Sequence, residues 1–180
     1  MTMEATPMSD GEIASLLKGL KNAPLGLEPT RKFRISLAGA QEKTALLWHE
    51  GRWWQPMGQT PTTHILKPQI GKVPFDTGTV DFSQSVENEF FCMRYLHHLG
   101  LSTAEVEIRD FEDVRALAIK RFDRVWADGQ FLRIPQEDFC QALGVPSAQK
   151  YEDKGGPGAR HILDLLTNRQ IFPREDAGIF

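Results

Sequence analysis

Apolar residues recur along this chain with two different periods. Between residues 9 and 22, Ile13, Leu16, Leu17 and Leu20 fall at helical spacing, which predicts a helix with one apolar face. Ser9 with Glu12 three residues later marks its start as a capping box. The period then shortens. Residues 33–37, 44–48, 52–55 and 63–67 carry short β-rich runs, and Glu50-Gly51 turns the second into the third. Residues 68–79, rich in Gly and Pro, read as a long loop. The helical period returns over 83–99. Val86, Phe90 and Met93 form the stripe there, Ser83 or Ser85 supplies the cap, and Gly100 ends the helix. Residues 103–109 and 114–121 read as an antiparallel pair, and Asp128-Gly129 joins 124–126 to 131–134 as a hairpin. Residues 136–143 and 159–167 read as helices, and Pro173-Arg174-Glu175 as the opening of another. That last helix has barely a turn before Phe180, too little to stand alone, so the ending looks like a cut.

The order is four strands, one long helix, two strands, a connection and then helices. It predicts an α+β fold whose antiparallel sheet packs a lone long helix on one face. A protein-kinase small lobe (N-lobe) is built this way, but so are many other α+β domains.

Composition narrows the function classes. The 180 residues suit one compact domain or two small lobes, with 41% hydrophobic and 25% charged residues. A net charge of −3 argues against a broad phosphate-coating surface. Cys92 and Cys140 sit in apolar helical patterns and read as buried free thiols of a reducing compartment, not as a disulfide framework. The acidic start lacks the apolar core of a signal peptide, and no run is long enough to span a bilayer. The expected location is therefore cytoplasmic, with no membrane partner. The histidines lack metal-ligand spacing, so no metal site is expected within these residues.

Three stretches carry candidate chemistry, each with a plainer alternative. In "RISLAGAQEKTALLW", residues 34–48, the small residues Ala38, Gly39 and Ala40 join two strand-like runs. Without bulky Cβ groups, backbone amides there could approach phosphate oxygens, with Ser36, Gln41 and Lys43 adding polar groups. With one glycine the stretch is neither a Walker loop nor the three-glycine kinase pattern, and read alone it fits an ordinary strand connection better. Lys67 ends a strand and could hold phosphates if a carboxylate from the next helix oriented it. Glu89 flanks the apolar stripe of that helix, whereas Glu87 turns further toward solvent, so Glu89 is the better partner. The alternative is a solvated lysine and an exposed acid. In "ALAIKRFDR", residues 116–124, a strand runs into a charged segment that could offer backbone groups to an adenine edge, Phe122 to the base and Asp123 to a ribose hydroxyl. The alternative is a strand end with one core Phe and solvated charges.

Taken together, "FRISLAGAQEKTALL", "TPTTHILKPQIG", "DFSQSVENEFFC", "VRALAIKRFDR" and "RIPQEDFCQALGVPSAQKYEDKGGPG" resemble the HipA family, the serine/threonine kinase toxins of bacterial HipAB toxin–antitoxin systems. The resemblance covers about residues 24–160 and favours the functional alternative in each stretch. It implies that Ser36 is the autophosphorylated loop serine. It also implies that Ala38, Gly39, Ala40, Gln41, Glu42 and Lys43 form the ATP phosphate loop, and that Lys67 contacts the phosphates. Lys120, Arg121 and Phe122 then form the adenine-holding hinge, with Asp123 at the ribose; Glu89 as partner of Lys67 comes from helix geometry. The implied domains are an N-terminal helix and linker over 1–32, a kinase-like small lobe with hinge over 33–134, and the incomplete start of a helical large lobe over 135–180. The implied cofactors are ATP and, with the large lobe, Mg2+. The implied partners are a HipB-like DNA-binding antitoxin, through which alone DNA is met, and glutamyl-tRNA synthetase as substrate, whose phosphorylation leads to growth arrest and persistence. The family's catalytic "Asp-Gly-His-Ala-Lys-Asn" type segment and its magnesium-binding Asp have no match among these residues, so no catalytic residue is expected within the chain and it is expected to be inactive alone. The other expectation is a catalytically dead binding module that engages a HipB-like antitoxin or a separate C-terminal kinase half.

Overall fold

The computed structural model describes residues 3–20, 41–75 and 78–168. The expected strand at 33–37 and the expected helix opening at Pro173 lie outside them. The chain divides into two compact units, Met1–Ile134 and Pro135–Phe180.

The first unit is built on a six-stranded antiparallel sheet. Its strands are β1 (Ala5–Pro7), β2 (Thr44–His49), β3 (Arg52–Pro56), β4 (His64–Pro68), β7 (Val106–Phe111) and β8 (Val114–Lys120), in the order β1-β3-β2-β4-β8-β7. Between β1 and β2 comes helix α1 (Asp10–Gly19); between β4 and β7 come β5 (Gly71–Phe75), β6 (Gly78–Phe82) and helix α2 (Ser85–His98). The unit ends with a hairpin of β9 (Arg124–Ala127) and β10 (Gln130–Arg133). Its turn is Asp128-Gly129, both at positive φ (51° and 74°), as a two-residue hairpin of this twist requires.

Helix α1 forms as its sequence dictates. The Ser9 side chain accepts from the Glu12 backbone N–H, and Glu12 Oε2 accepts from Ser9 N, closing the capping box. Its apolar face, Ile13, Ala14, Leu17 and Leu20, packs with Leu46, Trp53, Leu66, Phe111, Ala116 and Ala118 as the main core. Each large aliphatic buried there contributes about 1.5–3 kcal/mol.

Alternation along the strands puts Leu46, Leu66, Ala116 and Ala118 on this α1 face. Ala45, Leu47, Lys67 and Leu117 point to the other face, where α2 lies and pairs with Lys67 and Arg115. The sheet therefore carries a helix on each face, which corrects the expectation of a lone helix. The sequence pattern overvalued α2 as core. Only Val86 of its residues is buried, while Phe91, Tyr95 and Leu96 are exposed, as is Leu99 beyond its end. Cys92 follows the helix surface and is exposed, and Cys140 is half-buried, so neither is the buried thiol expected.

Two further corrections concern residues 68–85. The expected long loop holds the β5–β6 hairpin, paired from Gly71↔Phe82 to Phe75↔Gly78. The described residues of β6 are all exposed, so no buried face marks it in the sequence. Neither serine caps α2 as expected: the N-cap is Gln84, without a side-chain bond. Gln69 does this work from the end of β4, its Oε1 accepting from Val86 N–H at 2.9 Å and from the Ser85 hydroxyl at 3.0 Å.

In the second unit, α3 (Phe139–Leu143) opens with a capping box of Asp138 and Gln141 and ends at left-handed Gly144. Single 3-10 turns at Ser147–Gln149 and Glu152–Lys154 lead to α4 (Ala159–Asn168). No helix among the described residues is long and apolar enough to cross a membrane.

Candidate functional site

The register of the central strands assembles the site. Thr44 pairs with Leu66, so the next step of the ladder sets Lys43 opposite Lys67 on the α2 face. One turn into α2, Glu89 reaches across, and its Oε1 accepts from Lys67 Nζ at 2.5 Å. The side chains of this pair are 21% and 31% exposed. Lys43 is buried. Burial first, and then the like charge of Lys67, pull its ammonium below the ordinary lysine value. Two ammonium groups on adjacent strands repel, and an anion placed between them relieves the repulsion.

Helix α2 is held in register by its N-terminal end. Besides capping it, Gln69 donates from Nε2 to Glu87 Oε2 at 2.6 Å. Glu87 also accepts from Arg115 Nη1 at 2.9 Å, while Arg115 grips Asp110 through Nε and Nη2 at 2.7 and 3.0 Å. Glu87 is thus committed to Arg115 and Gln69, which leaves Glu89 for Lys67. Gln69 was not singled out in the sequence, since a glutamine after a proline carries no signal of its own.

The segment after β8 is fixed differently. Arg121 N–H donates to Thr63 O at 2.9 Å and Ile134 N–H to Asp123 O at 3.0 Å. Asp123 accepts from Arg121 Nε and Nη2 at 3.0 and 2.8 Å and from Arg124 Nη1 at 2.6 Å. Thr62 completes the clamp, its hydroxyl accepting from Arg121 Nη1 and its carbonyl from Arg124 Nε. Burial alone would push the Asp123 carboxyl up, but the two guanidinium groups outweigh it and hold the carboxyl below its ordinary value. The Asp123 side chain is 5% exposed. Phe122, between the clamped residues, is 76% exposed and available to a planar group.

Of the residues singled out in the sequence, the structure brings Lys43, Lys67 and Glu89 together. Gln41 and Glu42 precede β2 and are half-buried. The Lys120 side chain turns to the opposite face of the sheet and pairs with Glu105. Ser36, Ala38, Gly39 and Ala40 lie outside the described residues. Among the described residues no cluster of His, Cys, Asp and Glu could hold a metal ion.

Known proteins agree with the resemblance. Residues 35–178 match the family model described as HipA-like C-terminal domain. The chain is 40% identical over 174 residues to Y4mE of Sinorhizobium fredii, which is named as a candidate kinase; the match covers 96% of this chain and 39% of that one. It is 34% identical over 136 residues to the serine/threonine-protein kinase toxin HipA of Shewanella oneidensis, covering 74% of this chain and 29% of the toxin. The fold matches HipA of Shewanella oneidensis MR-1, solved with HipB and its operator DNA, at a TM-score of 0.60 and 30% identity, over 89% of this chain and 35% of that one. The chain thus spans well under half the length of these relatives.

Proposed function

The chain belongs to the HipA-like C-terminal domain family, and from that premise we propose that it forms the ATP-phosphate-binding part of a serine/threonine protein kinase of the HipA kind. In this reading, residues 33–134 act as the kinase-like small lobe with its hinge, and residues 135–180 begin the helical large lobe. The observation that carries the reading is the Lys67–Glu89 ion pair beside Lys43. Bound ATP with Mg2+ supplies the phosphoryl group for transfer to a hydroxyl. Lys67 holds the anionic phosphates, and Glu89 fixes the direction of the Lys67 ammonium. Lys43 adds a second ammonium on the next strand. Residues 38–43 close over the phosphates, and Phe122 with the backbone of residues 120–122 receives the base. Ser36 lies in the covering loop, where a phosphate would add about −1.5 to −2 charge beside those of ATP and expel the loop. A HipB-like antitoxin is the proposed partner, since the HipA relative was solved with HipB. Glutamyl-tRNA synthetase is the proposed substrate of the whole kinase.

Calorimetric titration of this chain with Mg-ATP, for the wild type and Lys67→Ala, tests the reading. Saturable binding that weakens at least about 10-fold in the variant is expected, as for loss of a charge-assisted contact. Absence of binding, or equal affinity in a folded variant, refutes it.

A further inference from the structure

A helix usually takes a capping acceptor from its own N-cap residue. Helix α2 does not. Its N-cap Gln84 makes no side-chain bond, and Gln69 supplies the acceptor from just beyond the end of β4. A cap from the helix's own chain travels with the helix. A cap from β4 ties the helix to the strand that carries Lys67.

The whole amide of Gln69 is turned to α2. Its Oε1 accepts from Val86 N–H at 2.9 Å and from the Ser85 hydroxyl at 3.0 Å, and its Nε2 donates to Glu87 Oε2 at 2.6 Å. Ser85 Oγ accepts in turn from Ile70 N–H at 3.0 Å, so backbone and side chain share the contact. Gln69 N–H donates to Arg115 O at 3.3 Å, and Arg115 Nη1 donates to Glu87 Oε1 at 2.9 Å, which brings β8 into the same network.

Spacing links this network to the lysine. Lys67 and Gln69 are two residues apart, so alternation sends both side chains to the α2 face. Pro68 lies between them and pairs with Ala116. Its ring fixes its own φ and holds the preceding Lys67 extended, so the offset from Lys67 to Gln69 is stiff. On the helix, Val86 and Glu89 are three residues apart, about 4.5 Å along the axis and nearly one turn. Strand and helix thus close a ring with two rungs. One runs from Gln69 to the first turn of α2, and the other from Lys67 Nζ to Glu89 Oε1 at 2.5 Å. With both sides stiff, the first rung sets the second. Glu87 is held by Gln69 and Arg115, so it does not compete for Lys67.

We propose that Gln69 is a positioning residue of the nucleotide site. It touches no phosphate and acts through Glu89, by holding α2 at the height where Glu89 directs the Lys67 ammonium. This role rests on the phosphate-binding reading of Lys67.

The test is calorimetric titration of the chain with Mg-ATP in four forms: wild type, Gln69→Met, Glu89→Ala and the double variant. The folded fraction of each is measured by circular dichroism. Gln69→Met keeps the side chain's length and removes its amide. It is expected to weaken Mg-ATP about 3- to 10-fold when Glu89 is present, and less than about 2-fold when Glu89→Ala has already removed the carboxylate. A merely structural cap costs the same factor in both backgrounds. Ser85→Ala removes one of the three contacts and places a good helix former in the first turn, so it folds even where Gln69→Met does not. It is expected to weaken Mg-ATP about 2- to 3-fold, again only when Glu89 is present. Wild-type affinity in these folded variants, or the same loss in both Glu89 backgrounds, overturns the role of Gln69 and leaves the phosphate-binding reading standing. No binding of Mg-ATP by the wild type, or undiminished binding by folded Lys67→Ala, overturns both.

Discussion

Asp123 grips Arg121 through two parallel hydrogen bonds while both side chains are almost wholly shielded, at 5% and 8% exposure. Arg124 reaches the same carboxylate, so one acid holds two guanidinium groups. Asp123→Ala leaves both cations buried without their partner. Breaking such a pair from one side costs about 3–5 kcal/mol, and the urea midpoint is expected to fall accordingly. The pH dependence follows from the lowered carboxyl of Asp123. The stability it contributes is fully present above the unfolded value of ~3.9 and is lost as pH falls through the lower folded value. Acid unfolding curves of wild type and Asp123→Asn should therefore converge at the acid end.

His64 has the opposite relation to protons. Burial first, and then the charge of Lys120, lower its value from 6.5 to about 4, against the opposing pull of Glu105. Between those values the unfolded chain binds a proton that the folded chain refuses. Stability therefore falls as pH drops from about 6.5 toward about 4. In denaturant titrations at pH 7 and pH 5, wild type should lose more stability than His64→Gln.

The Lys67–Glu89 pair is half-exposed, so its removal should trouble binding more than folding. Glu89→Gln is expected to cost at most about 1 kcal/mol of stability, in the range of exposed ion pairs. Its Mg-ATP affinity should drop several-fold under the proposed function, because Lys67 loses its orienting partner. A melt and a titration on the same sample separate the two effects.

Under the proposed function these residues bind ATP, and phosphoryl transfer is expected to require the catalytic loop of the family as well. None of the chain's segments matches the family's catalytic loop. Incubation with radiolabelled ATP, alone and with glutamyl-tRNA synthetase, should give no label above a buffer control.

Amide exchange should rank the two sheet-bound helices in the order opposite to their lengths. Helix α1 buries Ile13, Ala14 and Leu17, and Leu20 just beyond its end, whereas α2 buries only Val86. Amides in α1 and in β2, β4 and β8 should exchange most slowly, and those in the last two turns of α2 much faster. Equal protection along both helices would contradict this.

The sequence reading and the structure agree where a local pattern has a single physical cause. Ser9 and Glu12 fixed the start of α1, and Asp128-Gly129 fixed a hairpin, because capping and left-handed turns depend on neighbouring residues alone. Glu89 could be chosen over Glu87 because helix geometry sets their directions, and the structure pairs it with Lys67. β1 is only three residues long and β6 has no buried face, so neither leaves a periodic trace. The exposure of Cys92 and the burial of Asp123 depend on what packs around them, which alternation and periodicity do not record.

The attachment of α2 through Gln69 gives the helix a mechanical character. It is anchored at Ser85 and Val86, where the glutamine holds it to the end of the strand that carries Lys67. At 1.5 Å per residue, Glu89 sits roughly 6 Å from that pivot and Leu99 roughly 21 Å. A small swing of the helix moves its far, exposed end more than three times as far as the carboxylate that meets Lys67. The salt bridge therefore lies on the short arm of the helix, while the exposed Phe91, Tyr95 and Leu99 lie on the long one.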